Sequence, residues 1–70
     1  MKDPTTMRIK VPAGQKIEER HFSSSGVIEW VITSNSARTI WSVFSVDSCG
    51  TVKRIGKGKN PIEARRDAGK

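Results

Sequence analysis

Apolar and basic residues alternate from Met7 to Val11. Met7, Ile9 and Val11 fall on one face and Arg8 and Lys10 on the other, which is the two-residue period of a strand. Pro12-Ala13-Gly14 ends it. Lys16 to Phe22 fits no period cleanly: Ile17 and His21 have helical spacing, but the segment is too short to stand alone as a helix. Ser23-Ser24-Ser25-Gly26 reads as a loop. Val27 to Thr33 (VIEWVIT) is the clearest strand, β-branched and aromatic-rich, and Thr39 to Asp47 is the next. Ser34 to Arg38 joins them as a hairpin loop. Pairing Thr33 with Thr39 would set Ile32 opposite Ile40 and Ile28 opposite Phe44. One face would then carry Ile28, Trp30, Ile32, Ile40, Phe44 and Val46, and the reverse face Val31, Trp41 and Val43.

Asp47-Ser48-Cys49-Gly50 reads as a tight turn. Asp suits its first position and Gly tolerates a positive φ at its end. Thr51 to Ile55 makes a short strand, and Gly56-Lys57-Gly58-Lys59 a loop. Asn60-Pro61-Ile62-Glu63 is a helix start. Asn caps, Pro fits the first helical position, and Glu stands where a capping box places it. The helix should run from Pro61 to about Ala68 and stop at Gly69. Ala64 and Ala68 are small enough for close approach to a sheet. The pattern predicts an α+β fold: a small antiparallel sheet of three to four strands with one short C-terminal helix packed on one face. Residues 1–6 are polar and read as a frayed terminus, leaving residues 7–70 as a single small domain.

Composition narrows the function classes. Hydrophobic residues are 34% of the 70-residue chain, so the core is small. A partner, or a second copy in a homodimer, could add burial. One histidine, His21, one cysteine, Cys49, and no tyrosine leave no catalytic triad, paired-carboxylate or metal constellation. We therefore expect a binding protein, not an enzyme, with no cofactor and no metal. Without a membrane-spanning run or a signal segment, and with a single cysteine, the expected setting is cytoplasmic.

Charge adds a direction. The chain carries thirteen Lys and Arg against seven Asp and Glu, a net +6. Lys53, Arg54, Lys57, Lys59, Arg65, Arg66 and Lys70 oppose only Glu63 and Asp67, so residues 53–70 hold +5 of it. A localised basic patch is the footprint of phosphate binding. The candidate nucleic-acid-binding residues are Arg38, Trp41, Lys53, Arg54, Lys57, Lys59, Arg65 and Arg66. The Gly-Lys loop running into a helix start could cradle a phosphate, or simply cap the helix. Trp41 could stack a base, fill a protein or dimer interface, or lie under the Met7–Val11 strand.

From Val27 to Lys70 the order is strand, strand, strand, helix. An aromatic lies in the second strand and a basic third strand leads to Gly-x-Gly. The residues Trp41-Ser42-Val43, Arg54-Ile55-Gly56 and Glu63-Ala64-Arg65 with Ala68 resemble the three-stranded-sheet-plus-helix DNA-binding domains. These include plant ethylene-response-factor domains and the arm-binding domains of lambdoid and conjugative-transposon integrases. The resemblance implies a sheet face that enters the major groove, with reading residues among Arg38, Thr39, Trp41, Lys53 and Arg54. The same segment is similar to the second half of a double-stranded-RNA-binding domain through Gly56, Gly58, Ala64 and Ala68. Asn60-Pro61 stands where that family has paired lysines.

The expected function is a small basic nucleic-acid-binding module, with DNA ahead of RNA as partner. Its selectivity should be weak unless the sheet enters a groove. The alternative is a small phage or mobile-element module that binds a host protein; Trp41 exposed beside Val31 and Val43 would favour it or a dimer. A structural piece of a larger assembly is a third reading.

Overall fold

The computed structural model describes residues 9–70. Four strands, β1 (Gln15–Phe22), β2 (Ile28–Asn35), β3 (Trp41–Val46) and β4 (Val52–Gly58), form an antiparallel meander in the order β1-β2-β3-β4. A short helix, α1 (Pro61–Asp67), folds back over β4 and packs on one face of the sheet. This is the expected α+β architecture. The ambiguous Lys16–Phe22 segment supplies most of the fourth strand, β1. Ile9 to Val11 is not a strand; Met7 and Arg8 lie outside the described residues.

Each turn has a local cause. Asp47 Oδ1 accepts from the backbone N–H groups of Cys49 and Thr51, and Gly50 takes φ 85°, as the sequence predicts. The β2–β3 connection differs from expectation. Asn35 Oδ1 accepts from the N–H groups of Thr39 and Ile40, and Arg38 adopts φ 57°. That Asx-type bonding builds a wider loop than a tight hairpin. Thr33 therefore pairs with Ser42, not Thr39, and Ile32 pairs with Val43. The slip is three residues. Because side chains alternate with a period of two, an odd slip moves all of β3 to the opposite faces.

Both faces of the sheet are consequently apolar. On the helix side, Trp30, Ile32, Val43 and Ala64 are buried together, with Trp41, Ile55 and Ala68 against them. On the other side, Ile28, Val31 and Phe44 are buried, with Ile9, Ile17, Val46 and Val52 packed on them. Trp41, expected on the reverse face with Val31, is thus a helix-side residue. Ile40, expected in the core, is 44% exposed. The bulge at Glu29, where His21 pairs with Trp30 but Phe22 with Ile28, lets Ile28 join the Val31 side. An extra residue in one strand reverses the alternation beyond it.

α1 docks because β4 offers it glycines. A Cβ at Gly56 would lie 2.5 Å from the Ala64 carbonyl oxygen and 2.6 Å from Ala68 Cβ, and one at Gly58 would lie 2.5 Å from Glu63 Cβ. The Gly56-Lys57-Gly58 segment, expected as a loop, is therefore strand. Its glycines serve the close approach of helix and sheet. Asn60 Oδ1 accepts from the Glu63 N–H at 2.8 Å, one half of a capping box, and Glu63 Oε1 reaches one residue past the N-cap to accept from the Lys59 N–H at 3.2 Å. At the other end Lys70 N–H donates to Arg65 O and Gly69 N–H to Arg66 O, with Gly69 at φ 74°. This is the Schellman arrangement that stops the helix.

Candidate nucleic-acid interface

Residues 53–70 comprise most of β4, the corner at Lys59-Asn60, α1 and the helix stop. Because α1 lies on β4, this run of sequence becomes one margin of the domain. The sheet order puts β1, with Glu18 and Glu19, at the opposite edge. The sequence excess of +5 in residues 53–70 is therefore an asymmetry in space, basic along the β4–α1 margin and balanced at the β1 edge.

The two carboxylates within that margin are turned onto the backbone. Asp67 Oδ2 accepts from the Lys57 N–H at 3.1 Å on the open edge of β4. Glu63 accepts from the Lys59 N–H just ahead of the helix N-cap. Among the described residues, the only Lys or Arg that forms a salt bridge is Arg38. The cations of the margin thus face solvent or aromatic rings. Arg54 sets its guanidinium 5.6 Å from the Phe44 ring centroid, and Arg65 and Lys70 reach 5.4 and 5.9 Å from that of Trp30. Such contacts hold the side chain in place, and Arg65 Nη2 also donates to the Lys70 carbonyl oxygen at 3.5 Å. Lys57, Glu63, Arg66 and Asp67 line a shallow concavity at the junction of strand and helix.

Lys53, Arg54 and Lys57 lie on β4, Lys59 at the corner, and Arg65 and Arg66 on α1; Arg54 covers Phe44 on the face opposite the helix, while Arg65 reaches Trp30 of β2 on the helix side. Arg38 lies in the β2–β3 loop, and Trp41 stands on β3 opposite Gly58. Arg38 Nε and Nη2 donate to the two oxygens of Glu18 at 3.1 and 2.9 Å, a two-pronged charge-assisted pair. Glu18 also accepts from the Ser34 hydroxyl. The Arg38 bond, then the Ser34 bond, hold the Glu18 carboxyl below its ordinary pKa. Trp41 Nε1 donates to Arg38 O at 3.1 Å, and its ring packs into the helix-side core. The five reading residues implied by the resemblance are accordingly not on one face: Trp41 packs with the helix-side core and Arg54 covers Phe44 on the other side. Of the two readings of the Gly-Lys segment, phosphate cradle or helix cap, the geometry has the features of the cap. The segment is strand to Gly58, and Asn60 and Glu63 occupy the first amides of the corner.

One cluster escaped the sequence reading. His21 stacks on Trp30 with ring centroids 3.7 Å apart and planes 4° from parallel, and its Nε2 meets the Glu19 carboxylate. Arg65 and Lys70 lie over the same indole. Only the β1–β2 pairing and the helix stop bring these residues together, so no local pattern announces them.

Comparison with protein-family models, with curated proteins and with solved structures finds no match.

Proposed function

We propose that the protein is a small nucleic-acid-binding module, with DNA as the first partner to test, that holds phosphates along its β4–α1 margin. The observation that carries this reading is the arrangement of charge there. Seven cations surround two carboxylates, and both carboxylates are bonded to backbone amides. Lys53, Arg54, Lys57, Lys59, Arg65 and Arg66 are the contact residues. A concentrated cationic margin of this kind draws a polyanion from a distance and releases its counterions on binding. We read the chain as a binder without catalysis. His21 is engaged with Trp30 and Glu19, and Cys49 sits alone in the exposed β3–β4 turn. The host-protein alternative would be favoured by Trp41 exposed beside Val31 and Val43; Trp41 is partly buried against the helix-side cluster of Trp30, Ile32 and Val43, on the other side of the sheet from Val31.

The test is a fluorescence-anisotropy titration of labelled duplex DNA across a series of salt concentrations. About five phosphate contacts give a slope of log K against log salt near −4.5. Replacing Lys53 and Lys57 together with Ala should make that slope shallower by about 1.8. Absence of saturable binding at low salt, or a slope near zero, overturns the proposal.

A further inference from the structure

We infer that the partner is a double helix, held by its phosphates with no reading of base sequence. The inference rests on the phosphate-binding reading above. Base edges are read chiefly by amide side chains and by free guanidinium forks. The chain has three side-chain amides, Gln15, Asn35 and Asn60, and each has its carbonyl oxygen engaged within the fold, which denies it the two-pronged contact with adenine. Gln15 Oε1 accepts from the Thr33 hydroxyl. Asn35 uses both ends of its amide within the β2–β3 loop, on Thr39 and Ile40. Asn60 caps α1. Of the described arginines, Arg38 has its fork on Glu18, Arg65 lies over Trp30 with Nη2 donating to the Lys70 carbonyl oxygen, and Arg54 lies over Phe44. Arg66 and Arg20 stand singly, Arg66 beside Glu63 and Asp67 and Arg20 on the far edge strand.

The sheet itself has no face to offer a groove. The side opposite α1 is closed at its centre. Val31, Thr33 and Ser42 are fully buried, Ile9 packs against the apolar cluster and Arg54 covers Phe44. Major-groove entry by a sheet needs outward-facing polar residues at those central positions.

A single strand is excluded on different grounds. Sequence-tolerant binding of single strands relies on open aromatic platforms beside the cations. Trp30 is stacked under His21 and covered by Arg65 and Lys70. Trp41 is tied to Arg38 O, partly buried against the helix-side cluster and faced by the Arg38 guanidinium 6.0 Å from its ring centroid. The exposed aromatic among the described residues, Phe22, lies on β1 at the opposite edge from the basic margin. What remains is a set of cations on β4 and α1 without an open aromatic platform beside them. Such a set gains most from the polymer with the denser charge, and a duplex presents about one phosphate per 1.7 Å of axis.

The experiment uses the full chain at a single low salt concentration. Anisotropy is measured on three short duplexes of unrelated sequence, rich in A·T, rich in G·C and mixed, and on one strand of the mixed duplex. The three duplexes should bind within about fivefold of one another, and the single strand should bind more than about fivefold more weakly than each of them. A wider spread among duplexes shows base reading and overturns the inference, as does a single strand inside that margin. Binding to none of the four overturns the phosphate-binding reading itself, an outcome distinct from either.

Discussion

Gly56 lies directly beneath Ala64 where α1 crosses β4: a Cβ on the glycine would stand 2.5 Å from the alanine's carbonyl oxygen. The neighbours that would have to give way are largely backbone, the Ala64 carbonyl and the Ala68 N–H at 2.6 Å. The helix cannot yield by moving one side chain; it must lift from the sheet. Gly56→Ala should therefore destabilise the domain by about 2–3 kcal/mol, an overpacking cost that outweighs the small gain from removing a strand glycine. Urea unfolding followed by far-UV circular dichroism measures it. An unchanged midpoint would mean that α1 does not dock here.

The β2–β3 register makes a paired prediction. Val43 is fully buried against Ile32, whereas Ile40 is 44% exposed in the loop. Val43→Ala should cost about 2 kcal/mol, and Ile40→Ser less than about 0.5 kcal/mol. A register with Thr33 opposite Thr39 puts Ile40 in the core and reverses that order, so equilibrium unfolding of the two variants decides between them.

Glu18 links folding to pH. Its carboxyl titrates below the ordinary value because Arg38 and then Ser34 bond its ionised form. A carboxyl whose pKa is depressed by folding adds stability above its unfolded pKa. That stability disappears as the pH falls through the folded value. Thermal midpoints measured from neutral pH down through the acid range should fall further for the native chain than for Glu18→Gln. Parallel curves would show that the Arg38–Glu18 pair contributes nothing.

Asn60 caps a helix of seven residues that lacks the length to persist alone. Asn60→Ala should cost about 1 kcal/mol, and Asn60→Asp should retain most of the lost stability. Denaturant unfolding of both variants provides the comparison. Equal loss in the two would mean that the cap acts otherwise than through its side-chain oxygen.

The legible parts of this fold are those with local causes. VIEWVIT alternates and is β-branched, Asp47-x-x-Gly50 is a turn by its own chemistry, and Asn60-Pro61-x-Glu63 is a cap by its own hydrogen bonds. β1 is hard to see because Ile17 pairs with Thr33 but Glu19 with Ile32. The bulge at Glu18 breaks the alternation that marks a strand. The faces of β3 depend on a loop length set by the Asn35 amide, and one odd slip reassigns Trp41. Gly56 and Gly58 look like loop glycines until α1 is laid over them. The basic margin was readable because α1 follows β4 in sequence and packs on it. The removal of Arg38 by Glu18, twenty residues away, is a tertiary event that carries no local signal.

The most direct test of the phosphate-binding margin is a map of where the polymer touches. A ¹⁵N-labelled sample would be titrated with a short duplex DNA at low salt and followed by amide chemical-shift changes. The changes should concentrate in residues 53–70, at Lys53, Arg54, Lys57, Lys59, Arg65 and Arg66, and leave the β1 amides near Glu18 and Glu19 unmoved. Changes centred on β1 or on the Arg38–Trp41 turn, or none at saturating duplex, would contradict it.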